Sequence, residues 1–289
     1  MKYFFIVLLS FFSALSIHAQ KKPAYKLFNE KGKSKSYKKL LKEAGKVDII
    51  LFGEHHNNPI SHWLQLEFTN DMAKKIKLVL GFEMLEQDNQ DEINAYIEGK
   101  INQKKLDTVA RLWRNYKTDY KPLVDFAKEK NISVCASNIP RRYAKKVFKY
   151  GFKTLDSLTE NEKKWVAPLP IPYDSKLPGY VAMTKMQHMN HMSKKMKENM
   201  PKAQAIKDAT MANGILECKK EGHLFIHFNG SYHSDDHEGI MWYLKKYNPS
   251  LKTLTITTVS VNNVKKFDAQ NLGKADFIIQ VDKDMTTTY

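Results

Sequence analysis

The chain has 289 residues, of which 47 are Lys or Arg and 31 are Asp or Glu, giving a formal net charge of +16. That length supports one large core or two modest ones, and its two distant cysteines, Cys135 and Cys218, exclude a cysteine-built zinc centre. The basic surplus favours acidic partners, whether nucleic acid, an anionic membrane surface or a small carboxylate-bearing ligand, while most of it reads as an ordinary solvated Lys-rich surface.

At the N-terminus, Lys2 precedes an apolar run from Tyr3 to Leu15, and the chain turns polar at Gln20-Lys21-Lys22. This is the pattern of a secretory signal peptide cut after Ala19. Residues 1–19 are therefore expected to be a leader, and 20–289 an exported protein, periplasmic or extracellular. Export makes nucleic acid a poor partner. No Cys stands at the boundary to accept a lipid. Secretion permits a Cys135–Cys218 disulfide, while the apolar setting "SVCAS" equally allows Cys135 to be a buried free thiol.

Six short apolar runs read as strands: Val47–Phe52, Leu78–Phe82, Ile132–Ser137, Leu224–Phe228, Thr253–Ser260 and Phe277–Val281. Near-continuous apolar strands belong in a sheet covered on both faces. Helix-period segments separate them at Ser61–Ile76, Asp88–Ile97, Tyr120–Lys130 and Gly239–Tyr247. The alternation predicts an α/β fold with a mainly parallel sheet flanked by helices. It breaks between the third and fourth strands. From about 141 to 220 no strand is evident, and the prolines at 168, 170, 172 and 178 precede two helical segments. This stretch is expected to be a smaller helical cap.

Polar groups gather just past four consecutive strands. The first is followed by "GEHHNN", with Glu54 and His55. The second ends in "GFEML", with Glu83. The third runs into "SNIPRR", with Arg141. The fourth is followed by "NGSYHSDDHEG", with His233. In a parallel sheet these positions share one edge, where open α/β folds bind ligands. A carboxylate such as Glu83, closing an apolar strand, needs a partner. Arg141, a histidine or a metal could serve. Two chemistries fit: Glu54, His55, Glu83 and His233 could activate water for a hydrolase, and His55, Glu83 and His233 could hold a divalent metal. Individually, Glu54 could instead cap a helix, and the His233 loop could be a solvated turn. There is no HExxH, GxSxG, P-loop or GxGxxG motif.

The cap carries "MTKMQHMNHMSKKMKENM" (183–200). On one continuous helix, Met186, Met189, Met192, Met196 and Met200 share a face about 120° wide. Tyr180, His188 and His191 fall on the neighbouring face. The methionine face reads as core, as dimer packing, or as a surface for a flat polarizable ligand. The Tyr/His face offers groups that ligate haem iron.

These residues, in this order, resemble the ChaN family of haem-binding proteins, which belongs to a wider group with erythromycin esterases and TIKI proteases. "LFGEHHNNPISH" resembles its Gly-Glu-x-His opening, and "GFEMLEQDNQDEINAYIEGKI" its Glu-Met segment. "YKPLVDFAKEKNISVCASNIPRRYAKKVFKYGFKTL" resembles its Asn-x-x-Arg-Arg turn, and "AQAIKDATMANGI" its Gln/Asp/Met-Ala helix. "NGSYHSDDHEG" corresponds to its Gly-Asn-Gly-His loop, with Ser231-Tyr232 where the family has Asn-Gly. The resemblance implies haem as cofactor, bound at the cap between the two subunits of a homodimer. It also implies a Tyr on the iron with a His assisting, and a link to haem-uptake machinery at the membrane. The expected haem residues are Tyr180, His188, His191, Met192 and Arg141. The competing expectation is a metal-dependent hydrolase at the strand-end cleft.

Overall fold

The computed structural model describes residues 22–185 and 192–289. The leader expected over 1–19 lies outside them. Strands β1 (Tyr25–Asn29) and β2 (Ser34–Lys35) and helix α1 (Tyr37–Ala44) precede the first long apolar run, which forms β3 (Ile49–Glu54). Then come α2 (Pro59–Ala73), β4 (Lys77–Glu86), α3 (Gln90–Ile97), α4 (Gln103–Val109), α5 (Lys121–Glu129) and β5 (Ser133–Asn138). Helices α6 (Arg141–Tyr150), α7 (Glu160–Lys163), α8 (Pro178–Thr184) and α9 (Lys194–Cys218) lead to β6 (His223–Gly230). The described chain closes with α10 (Ile240–Tyr247), β7 (Thr253–Val261) and β8 (Phe277–Asp282).

Among the described residues the strands form one eight-stranded sheet, in the order β2-β1-β8-β7-β3-β6-β4-β5. Every pairing from β8 to β5 is parallel, and β1 pairs antiparallel with both β2 and β8. The mainly parallel α/β fold is as expected. The antiparallel β1–β2 edge was not anticipated, because Tyr25–Asn29 is only half-buried and carries no long apolar run.

Alternate strand residues point to opposite faces, and both faces are covered. Ile50, Phe52, Leu80, Phe82, Ile226 and Phe228 pack against Leu64 and Phe68 of α2 and Leu123 of α5. Ile49, Leu51, Val79 and Phe225 pack against Ala209, Met211 and Ile215 of α9 and Tyr243 of α10. Burying each of these large side chains contributes about 1.5–3 kcal/mol.

The segment between β5 and β6 holds no strand among its described residues, as expected, but it does not act as a cap throughout. Only its first part forms a separate small core, in which Tyr143, Val147, Leu155 and Val166 meet Ala203 and Ile206. The later turns of α9 are a crossover helix lying on the sheet. A disulfide joins Cys135 of β5 to Cys218 at the end of α9, so Cys135 is not the free thiol that its apolar setting also allowed.

The methionine-rich stretch is not one helix. α8 ends at Thr184, and Ser193 caps α9 in an extended conformation, its hydroxyl accepting the N–H of Met196. The expected single face of Met and His residues therefore does not form across 183–200. Met186, His188, Met189 and His191 lie outside the described residues.

Candidate functional site

The chain runs from β3 to β4, then to β5, and returns to lay β6 between β3 and β4. The carboxyl ends of these three neighbouring strands form the crevice that such reversals create. Glu54 lies beside Gly230 in the β3–β6 register, and Phe82 beside Phe228 in the β4–β6 register. Glu54 and Glu83 therefore emerge on either side of the end of β6. The β4–β5 register shifts between Phe82 and Glu86, the kind of irregularity that re-aims side chains at a sheet end.

Each carboxylate holds an imidazole. Glu54 Oε1 lies 2.9 Å from His56 Nδ1 and accepts a hydrogen bond from the Tyr120 hydroxyl at 2.7 Å, while its Oε2 accepts from Gln65 Nε2 at 2.7 Å. Burial would raise its pKa, but His56, His62 and Tyr120 together hold it below the usual carboxylate range. Burial in turn opposes charge on His56, and the hydrogen bond to Glu54 and the charge of Glu83 raise it nonetheless.

Across β6, Glu83 Oε1 lies 3.1 Å from His233 Nε2, and Glu83 Oε2 accepts the Gly230 N–H at 2.7 Å. On the far side, His233 Nδ1 lies 2.5 Å from Asp208 Oδ1 of α9. Glu83, His233 and Asp208 are all buried. Desolvation opposes the imidazolium, yet a carboxylate on each nitrogen pushes His233 up to about 9. Burial would raise Glu83, but the His233 and His56 imidazoles and the Gly230 N–H hold it far below its usual range. Burial draws Asp208 upward, but with Glu83 on the other nitrogen the shared proton belongs to His233.

Gly230 is the wedge between the two pairs. A Cβ there would lie 2.7 Å from His56 Nε2 and 3.4 Å from Glu83 Oε2. Only a residue without a side chain lets the imidazole approach the backbone this closely.

A cavity of ≈ 760 Å³ opens over this edge. Glu54, His55, Glu83, Arg141 and His233 line it, so the structure brings these five expected residues together. Met183 of α8 and Met200 of α9 line it as well, with Ile139, Trp113 and Lys207. The other expected residues fall elsewhere. Tyr180 is buried beside a separate small cavity, its hydroxyl 3.3 Å from Asp208 Oδ2. Burial and Asp208 push its phenol well above the ordinary range. Met192 is half-buried ahead of α9 and does not line the cavity. His188 and His191 lie outside the described residues.

His55 was singled out from the sequence, but His56 makes the bond to Glu54. The Gly-Glu-x-His spacing already pointed to His56. His55 points its Nε2 into a buried position without a hydrogen-bond partner among the described residues. Burial and the neighbouring charges of His56 and Lys274 lower its pKa from the ordinary imidazole value. Among the described residues no group of three or more His, Cys, Asp or Glu side chains is arranged to hold a metal ion. His55, Glu83 and His233 line one cavity but do not form such a group, and the two nitrogens of His233 are taken up by Glu83 and Asp208.

Asp208 and Tyr120 were missed. Asp208 was visible only as a charge within the apolar period of "AQAIKDATMANGI". Tyr120 reaches Glu54 from an irregular helical turn, Tyr116–Tyr120, which no periodicity signals.

Residues 40–244 match the sequence model of a family described as haem-binding uptake, Tiki superfamily, ChaN. No curated protein matches the chain at a significant level. Among solved structures, the ChaN protein of Campylobacter jejuni, described as binding haem cofacially, superposes with a TM-score of 0.68 at 16% identity. That match covers 88% of this chain and 96% of the other. A Bacillus cereus protein aligns with a TM-score of 0.50 at 15% identity over 85% and 90% of the two chains. A succinoglycan biosynthesis protein aligns with a TM-score of 0.51 at 12% identity over 89% and 93%. At these identities the structural likeness is one of fold.

Proposed function

The chain belongs to the ChaN family of haem-binding uptake proteins in the Tiki superfamily, and on that premise we propose that it is an exported haem-binding protein of haem acquisition or handling, holding haem where α8 and α9 overhang the strand ends, between two copies of the chain. The observation that carries this reading is the two-sided lining of the cavity. Ile139, Met183 and Met200 offer apolar, polarizable surface, and Arg141 and Lys207 offer cations. A porphyrin is a flat apolar body with two carboxylates and needs both kinds of contact.

The residues present fit such a ligand. The methionines would meet the ring, and Arg141 and Lys207 would meet the propionates. His188 and His191, in the connection between α8 and α9, are the candidate iron ligands. Bound there, haem is cargo, and the protein's task is to shield and orient it. Export is supported by the apolar run from Tyr3 to Leu15 behind Lys2.

A second reading, hydrolysis, is favoured by the Glu54–His56 pair, in which a buried carboxylate orients an imidazole that lines the cavity. A histidine of that kind can take a proton from water. One set of variants separates the two. Haemin titration of His188→Ala and His191→Ala should shift or abolish the Soret band, while Glu83→Gln keeps it. The reverse pattern would move haem out of the α8–α9 region. Turnover of model esters or peptides that vanishes in His56→Ala would favour hydrolysis.

A further inference from the structure

We propose that the outer face of α6 docks this protein on an anionic lipid bilayer. α6 reads RRYAKKVFKY, with five basic residues in ten and no acid. Tyr143, Ala144 and Val147 turn inward, and Arg142, Lys145, Lys146 and Lys149 are exposed on the other side, while Arg141 at the start of the helix lines the strand-end cavity. Like charges four apart on a helix cost about 0.2–0.5 kcal/mol per pair, a cost that an anion meeting this face would relieve. Arg142 pairs with Asp88. Among the described residues, Lys145, Lys146 and Lys149 form no ion pair. Glu162 feels the charge of Lys146 but bonds Tyr143 and Thr159, and Glu160 pairs with Lys163.

Two further features separate this face from an ordinary solvated one. Tyr150, at the end of α6, is 54% exposed. The nitrogens of Lys149 and Lys195 lie 5.3 Å and 5.9 Å from its ring centroid. An aromatic ring set between two cations suits the headgroup layer, where amphipathic side chains bury their bodies and keep their charges wet. The turn that continues α6 then forms one wall of an open groove of ≈ 440 Å³. Phe152, Leu155, Leu169, Pro170 and Ile171 line it together with Lys153, Asp156 and Lys163, the last of which pairs with Glu160. Basic headgroup contacts beside an apolar groove match a lipid surface better than a soluble polyanion.

The test is flotation of the purified protein with vesicles of phosphatidylcholine alone or with one-third phosphatidylglycerol, at 0.1 M and 0.5 M salt. The protein is expected to float with the anionic vesicles at low salt, and to be released at high salt. Each lysine lost should weaken binding about fivefold, so Lys145→Gln/Lys146→Gln/Lys149→Gln together should weaken it about 100-fold. An equal charge change at the opposite end of the strands, Lys74→Gln/Lys75→Gln/Lys77→Gln, should leave binding within about threefold. Circular dichroism checks that both variants fold. Equal binding to neutral vesicles, equal losses in the two triple variants, or no binding by the wild type would each overturn the proposal. So would binding to an oligonucleotide in place of the vesicles.

Discussion

Replacing His233 with alanine is expected to lower the unfolding free energy by about 3–5 kcal/mol at pH 7, the usual cost of removing one partner from a buried charged set. Glu83 and Asp208 are both buried and both bonded to this imidazole. Without it, two carboxylates face each other in a low-dielectric setting. Since whole-protein stability is only about 5–15 kcal/mol, the loss should be plain in the urea midpoint. The pH dependence gives a second signature. In the folded protein His233 titrates near 9, above its ordinary 6.5. Its contribution is therefore complete below pH 6.5 and is lost as the pH rises through 9. The wild type should lose about 2–3 kcal/mol from this group between pH 6 and 10. His233→Ala should lack that fall and should instead gain stability as the pH drops from 7 to 5, where one carboxyl takes up a proton. A loss below 1 kcal/mol at pH 7 would contradict this picture of the Glu83–His233–Asp208 chain.

Met200→Asp is expected to weaken haemin binding about 100-fold, equivalent to about 2.7 kcal/mol. The substitution sets a carboxylate against the apolar part of the cavity, where it must be desolvated beside the ring and near two propionates. Met200→Leu keeps volume and polarity and should stay within about threefold. Soret titrations of the two variants measure the difference. Equal affinities would remove Met200 from the haem contact and, with it, the account of the α8–α9 overhang.

The parts of the fold that sequence revealed are those governed by local pattern. Strands such as Ile49–Glu54 and His223–Gly230 are buried on both faces, so their apolar residues run nearly unbroken. The gathering of Glu54, Glu83 and His233 at one edge followed from parallel pairing alone. What stayed hidden depends on contacts distant in the chain. The ring nitrogens of His233 meet Glu83 and Asp208, from β4 and α9, and no spacing encodes that meeting. The helical wheel drawn over 183–200 assumed an unbroken helix, but Ser193 supplies a cap that restarts it. That signal is weak in sequence, because Met196 stands where a capping box would have Glu or Gln. His55 and His56 are neighbours of the same type, and only the 2.9 Å bond to Glu54 tells them apart.

The most direct test of the central claim is a haemin titration of the purified protein, followed by its Soret band and by size exclusion. The account predicts a saturable, red-shifted band with a shift from monomer to dimer as haem loads. Haemin that gives no saturable band, with the protein unchanged in size, would contradict it.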